Sequence, residues 1–242
     1  MCGRYALSKL PSELIEEFEI TAGATGSALP FDWNITPTRQ INVIRANQDH
    51  ARELANVSWG IIAPWSKDRT EAVRSQSQAI NARAESVHEK PTFRNAFKSR
   101  RCLIPATGYY EWATELGRYG TKQPFYIHSA TENKTLAFAG IYDRWVDTNG
   151  EIFESAAIIT REAVGFLATV HHRMPTFLPP DRWDLWLSPE LADVNEVRSL
   201  MELSDPAAGL AAHPVSTLVN ATRNNGPELI EEIELGEPET LF

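Results

Sequence analysis

Cysteine at position 2 is the residue whose type and place carry the most chemistry in this chain. A small second residue permits removal of the initiator Met, and that removal would put an α-amino group and a thiol on one residue. The amine titrates at about 7.7–8.0 and the thiol at about 8.5, so both are available as nucleophiles near neutral pH. Together they attack an aldehyde in two steps. The amine condenses to a Schiff base with loss of water, and the thiol then adds to the same carbon, closing a five-membered thiazolidine ring. One nucleophile alone gives a labile adduct. The plainer alternative is a small apolar side chain near a frayed terminus. The other cysteine, Cys102, has no free α-amine and reads as a buried structural thiol in a strand.

Charge is the second chemical signal. The 242 residues hold 23 Lys plus Arg against 32 Asp plus Glu, a formal −9, which argues against a protein that coats nucleic acid by bulk charge. The charge is uneven, however. The stretch from Glu228 carries six acids (Glu228, Glu231, Glu232, Glu234, Glu237, Glu239) and no base, and without them the −9 becomes −3. Between Arg74 and Arg101 seven basic residues face two acidic ones, a local +5. That segment could form an anion-binding surface; for any one of these charges a solvated face is the plainer reading.

The elements that must position these groups follow from patterning. Pro11 suits a first helical position, and Leu14, Ile15 and Phe18 then share one face of a short acidic helix. Residues 21–38, rich in Gly, Ala, Thr and Pro, read as a loop. Strands are expected at 41–44, 57–62, 101–106, 124–128, 136–142 and 155–160. Asp147-Thr148-Asn149-Gly150 would close a hairpin between 136–146 and 151–160. A second helix is expected from Ser188 as N-cap and Pro189 at N1, with Leu191, Val194, Val197, Leu200 and Met201 along one side. Few helices and many strands predict an α+β fold around a strongly curved sheet. The absence of a βαβ rhythm, of GxGxxG and of GxxxxGK[ST] argues against dinucleotide and P-loop chemistry. Two cysteines without CxxC spacing suggest neither a disulfide framework nor a zinc site, so a reduced, cytoplasmic compartment and no cofactor are expected. MCGRYALSKL lacks a signal-peptide core, and no run approaches the roughly 18 apolar residues of a membrane span.

Eight ordered blocks then point the same way: MCGRY at the start, NITPT at 34–38, WGIIAPW at 59–65, INARAES at 80–86, RCLIPATGYYEW at 101–112, LAFAGIYDRW at 136–145, VHHRMP at 170–175 and VSTLVNATRNNGPELIE at 215–231. In this order they resemble the SRAP family, the SOS response-associated peptidases also described as abasic site processing proteins. The resemblance covers residue 2 to about 231, which implies one domain over 1–231 followed by an acidic tail, 232–242. It implies a single α+β domain with a curved, barrel-like, mostly antiparallel β core and peripheral helices. It also implies that the mature N-terminal Cys2 captures the ring-opened aldehyde of an abasic site in single-stranded DNA as a thiazolidine crosslink. Removal of Met1 by the protein itself and strand cleavage by a lyase route belong to the same expectation. The partner would be abasic single-stranded DNA, with no membrane; the protein would act as a monomer, cytoplasmic and nucleoid-associated when on DNA.

Residue by residue, the resemblance gives Glu111 in GYYEW the role of catalytic acid and base, a suitable task for a carboxyl whose aromatic neighbours raise its pKa if it is buried. It gives His171 the role of proton shuttle and treats His172 as flanking. Asn81, through an amide that donates and accepts, would hold the abasic sugar or orient the Cys2 amine. Arg4, Arg83 and Arg173 share motifs with Cys2, Asn81 and His171 and would line a narrow cationic channel for phosphates. Pro37, Thr38 and Trp65 would form an apolar ledge for neighbouring bases. In WGIIAPW the proline stands one place later than the family pattern has it, which bears on the shape of that ledge. Trp33, Trp145, Trp183 and Trp186 read as packing residues, and Trp59 stays open. Two other readings use the same residues. One is an N-terminal-nucleophile cysteine peptidase or amidohydrolase that forms no DNA crosslink. The other is noncovalent recognition of damaged DNA through the arginines and Trp65 alone.

Overall fold

The computed structural model describes residues 2–113 and 122–235. Met1, and Glu237 and Glu239 of the acidic stretch, lie outside the described residues. In chain order the elements are β1 (Tyr5–Leu7), α1 (Pro11–Glu17), β2 (Ala24–Thr25), β3 (Asp32–Ile35), β4 (Gln40–Ala46), β5 (Arg52–Trp59), α2 (Arg69–Gln78), β6 (Asn81–Arg83), α3 (Arg94–Ser99), β7 (Arg101–Ala106), β8 (Gly108–Ala113), β9 (Gln123–Ser129), β10 (Leu136–Val146), β11 (Ile152–Glu162), α4 (Leu167–Val170), β12 (Arg173–Pro175), α5 (Trp183–Leu187), α6 (Val194–Ser199) and β13 (Leu210–Pro214).

Five of these strands close into a barrel. β4 runs antiparallel to β5, with Gln40 opposite Ser58 and Ala46 opposite Arg52, and touches β7 through Ile44 and Leu103. β7 pairs with β10, and β10 with β11 through the expected hairpin, Val146 opposite Ile152. The ring shuts where β11 meets β5 in parallel, Ser155 beside Ser58 and Ala156 beside Trp59. This is the curved, mostly antiparallel barrel core of an α+β fold. The strand stretches 101–106 and 136–142 are buried on both faces, which is why they read as continuous apolar runs rather than alternating ones.

A second, antiparallel sheet has the order β13-β9-β8-β1-β3. Only Thr107 separates β7 from β8, so one stretch of chain serves the barrel and then this sheet. Tyr5 lies opposite Tyr109 across β1 and β8, and its ring packs edge-on against Trp59 and Phe138 of the barrel, 5.2 and 6.0 Å between centroids. Trp59, left open by sequence, is thus a fully buried core residue whose indole donates to the Ile80 carbonyl at 3.0 Å. Trp145, Trp183 and Trp186 are buried, as expected of packing residues.

Three departures from the sequence-based elements have physical causes. The stretch 21–38 is not all loop: Asp32–Ile35 forms β3, held on β1 and by the Asn34 amide, which donates to the carbonyls of Val219, Ala221 and Asn224. The expected 57–62 strand stops at Trp59, because Gly60 (φ 114°) turns the chain toward α2. No helix starts at Ser188. Arg101, buried behind α5, donates to the carbonyls of Trp186, Ser188 and Leu191 and so wraps this stretch into a loop. The helix begins later, with the Asp193 carboxylate capping the N–H groups of Asn195 and Glu196.

Candidate active site

Four segments from both sheets bring the chemical residues together. Cys2 precedes β1, Glu111 lies on β8, Asn81 opens β6, and His171 follows α4. The link between sheets is direct: the Asn81 amide donates to the Cys2 carbonyl at 2.8 Å. β6 reaches this place because it adds to the barrel strand β11 in parallel, Asn81 beside Ile158 and Arg83 beside Thr160. The Cys2 side chain is fully buried, and burial pushes its thiol up, with the neighbouring Glu111 carboxylate adding to the effect.

Glu111 is 5% exposed, and burial raises its carboxyl to about 7. A carboxyl at that value exchanges protons readily in both directions at neutral pH. His171 Nδ1 stands 3.9 Å from Glu111 Oε2. That is an electrostatic approach rather than a hydrogen bond. Burial lowers the His171 pKa from its ordinary value, so near neutral pH a neutral imidazole faces a carboxyl close to half protonation. The ring of His172 lies 4.3 Å from that of His171, tilted by 32° to it.

The six residues expected to contact DNA are placed differently from one another. Arg4 is half-buried: its Nη1 donates to Asn34 Oδ1 at 2.7 Å and to the Val219 carbonyl at 2.8 Å, and its guanidinium lies over the Trp112 ring at 5.7 Å. Arg83 is exposed. Trp65 is 58% exposed, and the Ser66 N–H turns back to the Ala63 carbonyl beside it. Pro37 is half-buried. Thr38 is exposed with a left-handed backbone, φ 72°, its N–H donating to the Trp59 carbonyl at 2.8 Å. Arg173 is the exception to an exposed cationic channel. It is 8% exposed, and its guanidinium is held in the interior by both carboxylate oxygens of Glu85, at 2.7 and 3.0 Å, and by the Thr160 carbonyl at 2.6 Å.

Two tyrosines that sequence reading passed over border the same centre. Tyr109 precedes Glu111 by two residues on β8 and therefore shares its face, and burial together with the charges of Cys2 and Glu111 raises its phenol. Tyr5, two residues into the face opened by Gly3, is raised likewise by burial and by Cys2. The period of two along GYYEW was the available signal for Tyr109. Among the described residues there is no group of three or more His, Cys, Asp and Glu placed to hold a metal ion.

Comparison with known proteins gives the family of the chain. Residues 1–222 match the family described as SOS response associated peptidase (SRAP). The chain is 36% identical over 231 residues to the abasic site processing protein YoqW of Bacillus subtilis (strain 168), covering 96% of this chain and 99% of that one. It is 35% identical over 210 residues to the abasic site processing protein HMCES of Gallus gallus, covering 78% of this chain and 60% of that one. A crystal structure of a protein from Bacteroides thetaiotaomicron superimposes with a TM-score of 0.83 at 26% identity, covering 96% of this chain and 100% of that chain. A buried cysteine at position 2, gripped by Asn81 and flanked by a carboxyl raised to about 7, thus stands in a chain whose residues 1–222 match this family, and the chain belongs to the SRAP family.

Proposed function

We propose that this protein captures abasic sites in single-stranded DNA covalently, using the α-amine and thiol of Cys2 once Met1 has been removed. The observation that carries the reading is the convergence of Cys2, Asn81, Glu111 and His171 from four separate segments. The ring-opened sugar presents an aldehyde. The Cys2 amine adds to it, and Glu111 in its protonated form gives a proton to the departing oxygen, which leaves as water. The iminium carbon then accepts the thiol sulfur, while the thiol proton passes to the Glu111 carboxylate and the C=N electron pair returns to the nitrogen, which keeps its own proton. The product is a thiazolidine, one water lighter than its reactants.

The state of the thiol favours this chemistry over a cysteine peptidase. Cysteine peptidases activate sulfur by lowering its pKa beside an imidazolium. Here burial raises the thiol and lowers the histidine. A thiol raised in this way needs its proton taken as it adds, and the Glu111 carboxylate left by the loss of water is the group beside it that can take it. His171 would move protons during ring opening and reversal, and Asn81 would set the position of the Cys2 backbone. Self-removal of Met1 and lyase cleavage through the Schiff base are part of the same reading.

Arg4 and Arg83, with Pro37, Thr38 and Trp65, would border the strand, acting without sequence preference through phosphate contacts and stacking. The domain would span 1–231, with 232–242 as an acidic tail, in a monomer working in the cytoplasm. The test is incubation of the mature protein with a single strand carrying one abasic site, followed by denaturing electrophoresis. A denaturant-resistant adduct is expected. It should disappear in Cys2→Ser and when a retained N-terminal tag blocks the amine. An adduct that survives both changes would contradict the reading.

A further inference from the structure

The imidazole of His171 is oriented by the backbone of Arg173. The Arg173 N–H donates to His171 Nδ1 at 3.0 Å, so Nδ1 of the neutral ring carries a lone pair and the ring hydrogen is on Nε2. The Arg173 carbonyl lies 3.2 Å from the same nitrogen and is placed to accept when the ring takes up its second proton, on Nδ1. The backbone N–H and C=O of one residue therefore serve the two protonation states of the ring. Glu111, at 3.9 Å, and the His172 ring also face it, and the Arg173 guanidinium acts on it through its charge.

What holds Arg173 is a fork-to-fork ion pair with Glu85, reinforced by the Thr160 carbonyl. The topology gives this pair its meaning. Thr160 of β11 lies beside Arg83 of β6 on one edge and opposite Pro175 of β12 on the other. Glu85 follows β6, the strand that carries Asn81, and Arg173 opens β12, directly after His171 and His172. The ion pair thus ties the segment of Asn81 to the segment of His171 across the strand between them. Each of those strands is only three residues long, so the ion pair adds a side-chain tie to a short ladder on either edge of β11.

We infer that Glu85 is a positioning residue: through Arg173 it fixes the tautomer and placement of His171 relative to Asn81 and Cys2. The Arg173 partner holds the Glu85 carboxyl below its ordinary range, in keeping with a formed pair. Glu85 touches no reacting atom, so its effect travels through geometry. This inference rests on the proposed role of His171 only for its kinetic consequence.

The test combines a spectroscopic and a kinetic readout on the full chain. Long-range proton–nitrogen spectra of histidine-labelled protein report the tautomer and titration of His171 in wild type, Glu85→Gln, Glu85→Ala and Glu85→Asp. In parallel, the adduct rate on an abasic single strand is measured across pH, with affinity for a strand bearing a stable, aldehyde-free abasic analogue. In wild type the neutral ring should be the Nε2–H tautomer. Glu85→Ala and Glu85→Gln should show mixed tautomers, a displaced pH profile, and a rate loss on the order of tenfold to a hundredfold at unchanged affinity. Glu85→Asp should recover most of it. If Glu85→Ala does not fold, the nearly isosteric Glu85→Gln and Glu85→Asp still decide. An unchanged tautomer in folded Glu85→Gln, or a rate loss matched by an equal loss of affinity, would overturn the inference. If wild type forms no adduct, the covalent reading fails on its own, and the tautomer comparison still decides the role of Glu85.

Discussion

The side-chain amide of Asn81 donates to the backbone carbonyl of Cys2 at 2.8 Å, joining a strand on the flank of the barrel to the residue that leads into the second sheet. The contact grips Cys2 by its backbone and leaves the thiol to other neighbours. Removing it should loosen the nucleophile without unfolding the protein. Asn81→Ala is expected to cost about 1 kcal/mol of stability, the net worth of one such bond. Its adduct rate should fall much further, on the order of a hundredfold, because misplacement of a nucleophile is costly. Asn81→Asp should be no better, since a carboxylate offers the carbonyl no proton. Melting curves alongside single-turnover rates separate the two effects.

Glu111 makes stability depend on pH in a predictable direction. Its carboxyl is raised to about 7 in the folded protein by burial, against about 4.3 for an unperturbed Glu. The folded state therefore binds a proton more tightly than the unfolded one. The stabilisation is fully present below the unfolded value and is lost as pH rises through about 7. By linkage the loss is on the order of 3 kcal/mol for wild type. Glu111→Gln has no such proton, so its melting temperature relative to wild type should climb between about pH 4.5 and 7.5. A difference that stays flat across that range would contradict the burial argument. The same variant should lower the adduct rate by about 10²–10⁴-fold.

Arg4 joins β1 to the loop around Val219 through Asn34, so it has a structural part as well as its proposed phosphate contact. Arg4→Ala should destabilise by about 1–2 kcal/mol, discounted for partial solvent screening. It should also reduce the slope of log affinity against log salt for a single strand by about 0.7, the share of one phosphate. Arg83→Ala, changing an exposed residue, should show the salt effect with little loss of stability.

The turn at Gly60 supports the barrel closure. Its φ is 114°, its N–H donates to the Ala156 carbonyl at 2.7 Å, and a Cβ there would stand 2.3 Å from the Gln76 carbonyl oxygen. Gly60→Ala should therefore cost on the order of 3 kcal/mol, strain and overlap together. Gly150, with φ 83° but open space around it, should lose only about 1 kcal/mol on the same change. Denaturant melts of the two variants test the comparison.

The barrel strands were legible because their chemistry is local. Ile41–Ile44, Arg101–Ala106 and Leu136–Tyr142 are apolar runs bounded by turns, and Asp147 to Gly150 announces its hairpin. What escaped depends on partners distant in sequence. β3 is held by Asn34 bonding to carbonyls some 190 residues away, as in the Asn224 contact, and the loop-like composition around it conceals the strand. The Ser188-Pro189 pair carries a helix-start signature, but Arg101 claims the carbonyls that a helix there would use. In the site, the residue type of Cys2 suggests its chemistry, but Cys2, like Asn81, Glu111 and His171, needed the family motifs to outweigh the plainer reading. The pairing of buried Arg173 with half-exposed Glu85 was not legible, because a motif arginine looks the same whether it faces phosphate or carboxylate.

The central claim is that Cys2 joins an abasic sugar through both its nitrogen and its sulfur. Intact mass of the protein after reaction with a short abasic strand tests it most directly. The expected product is one adduct whose mass is the chain without Met1, plus the strand, minus one water, absent from Cys2→Ala and from a strand without the lesion. No adduct, an adduct that still contains Met1, or one that persists in Cys2→Ala would contradict it.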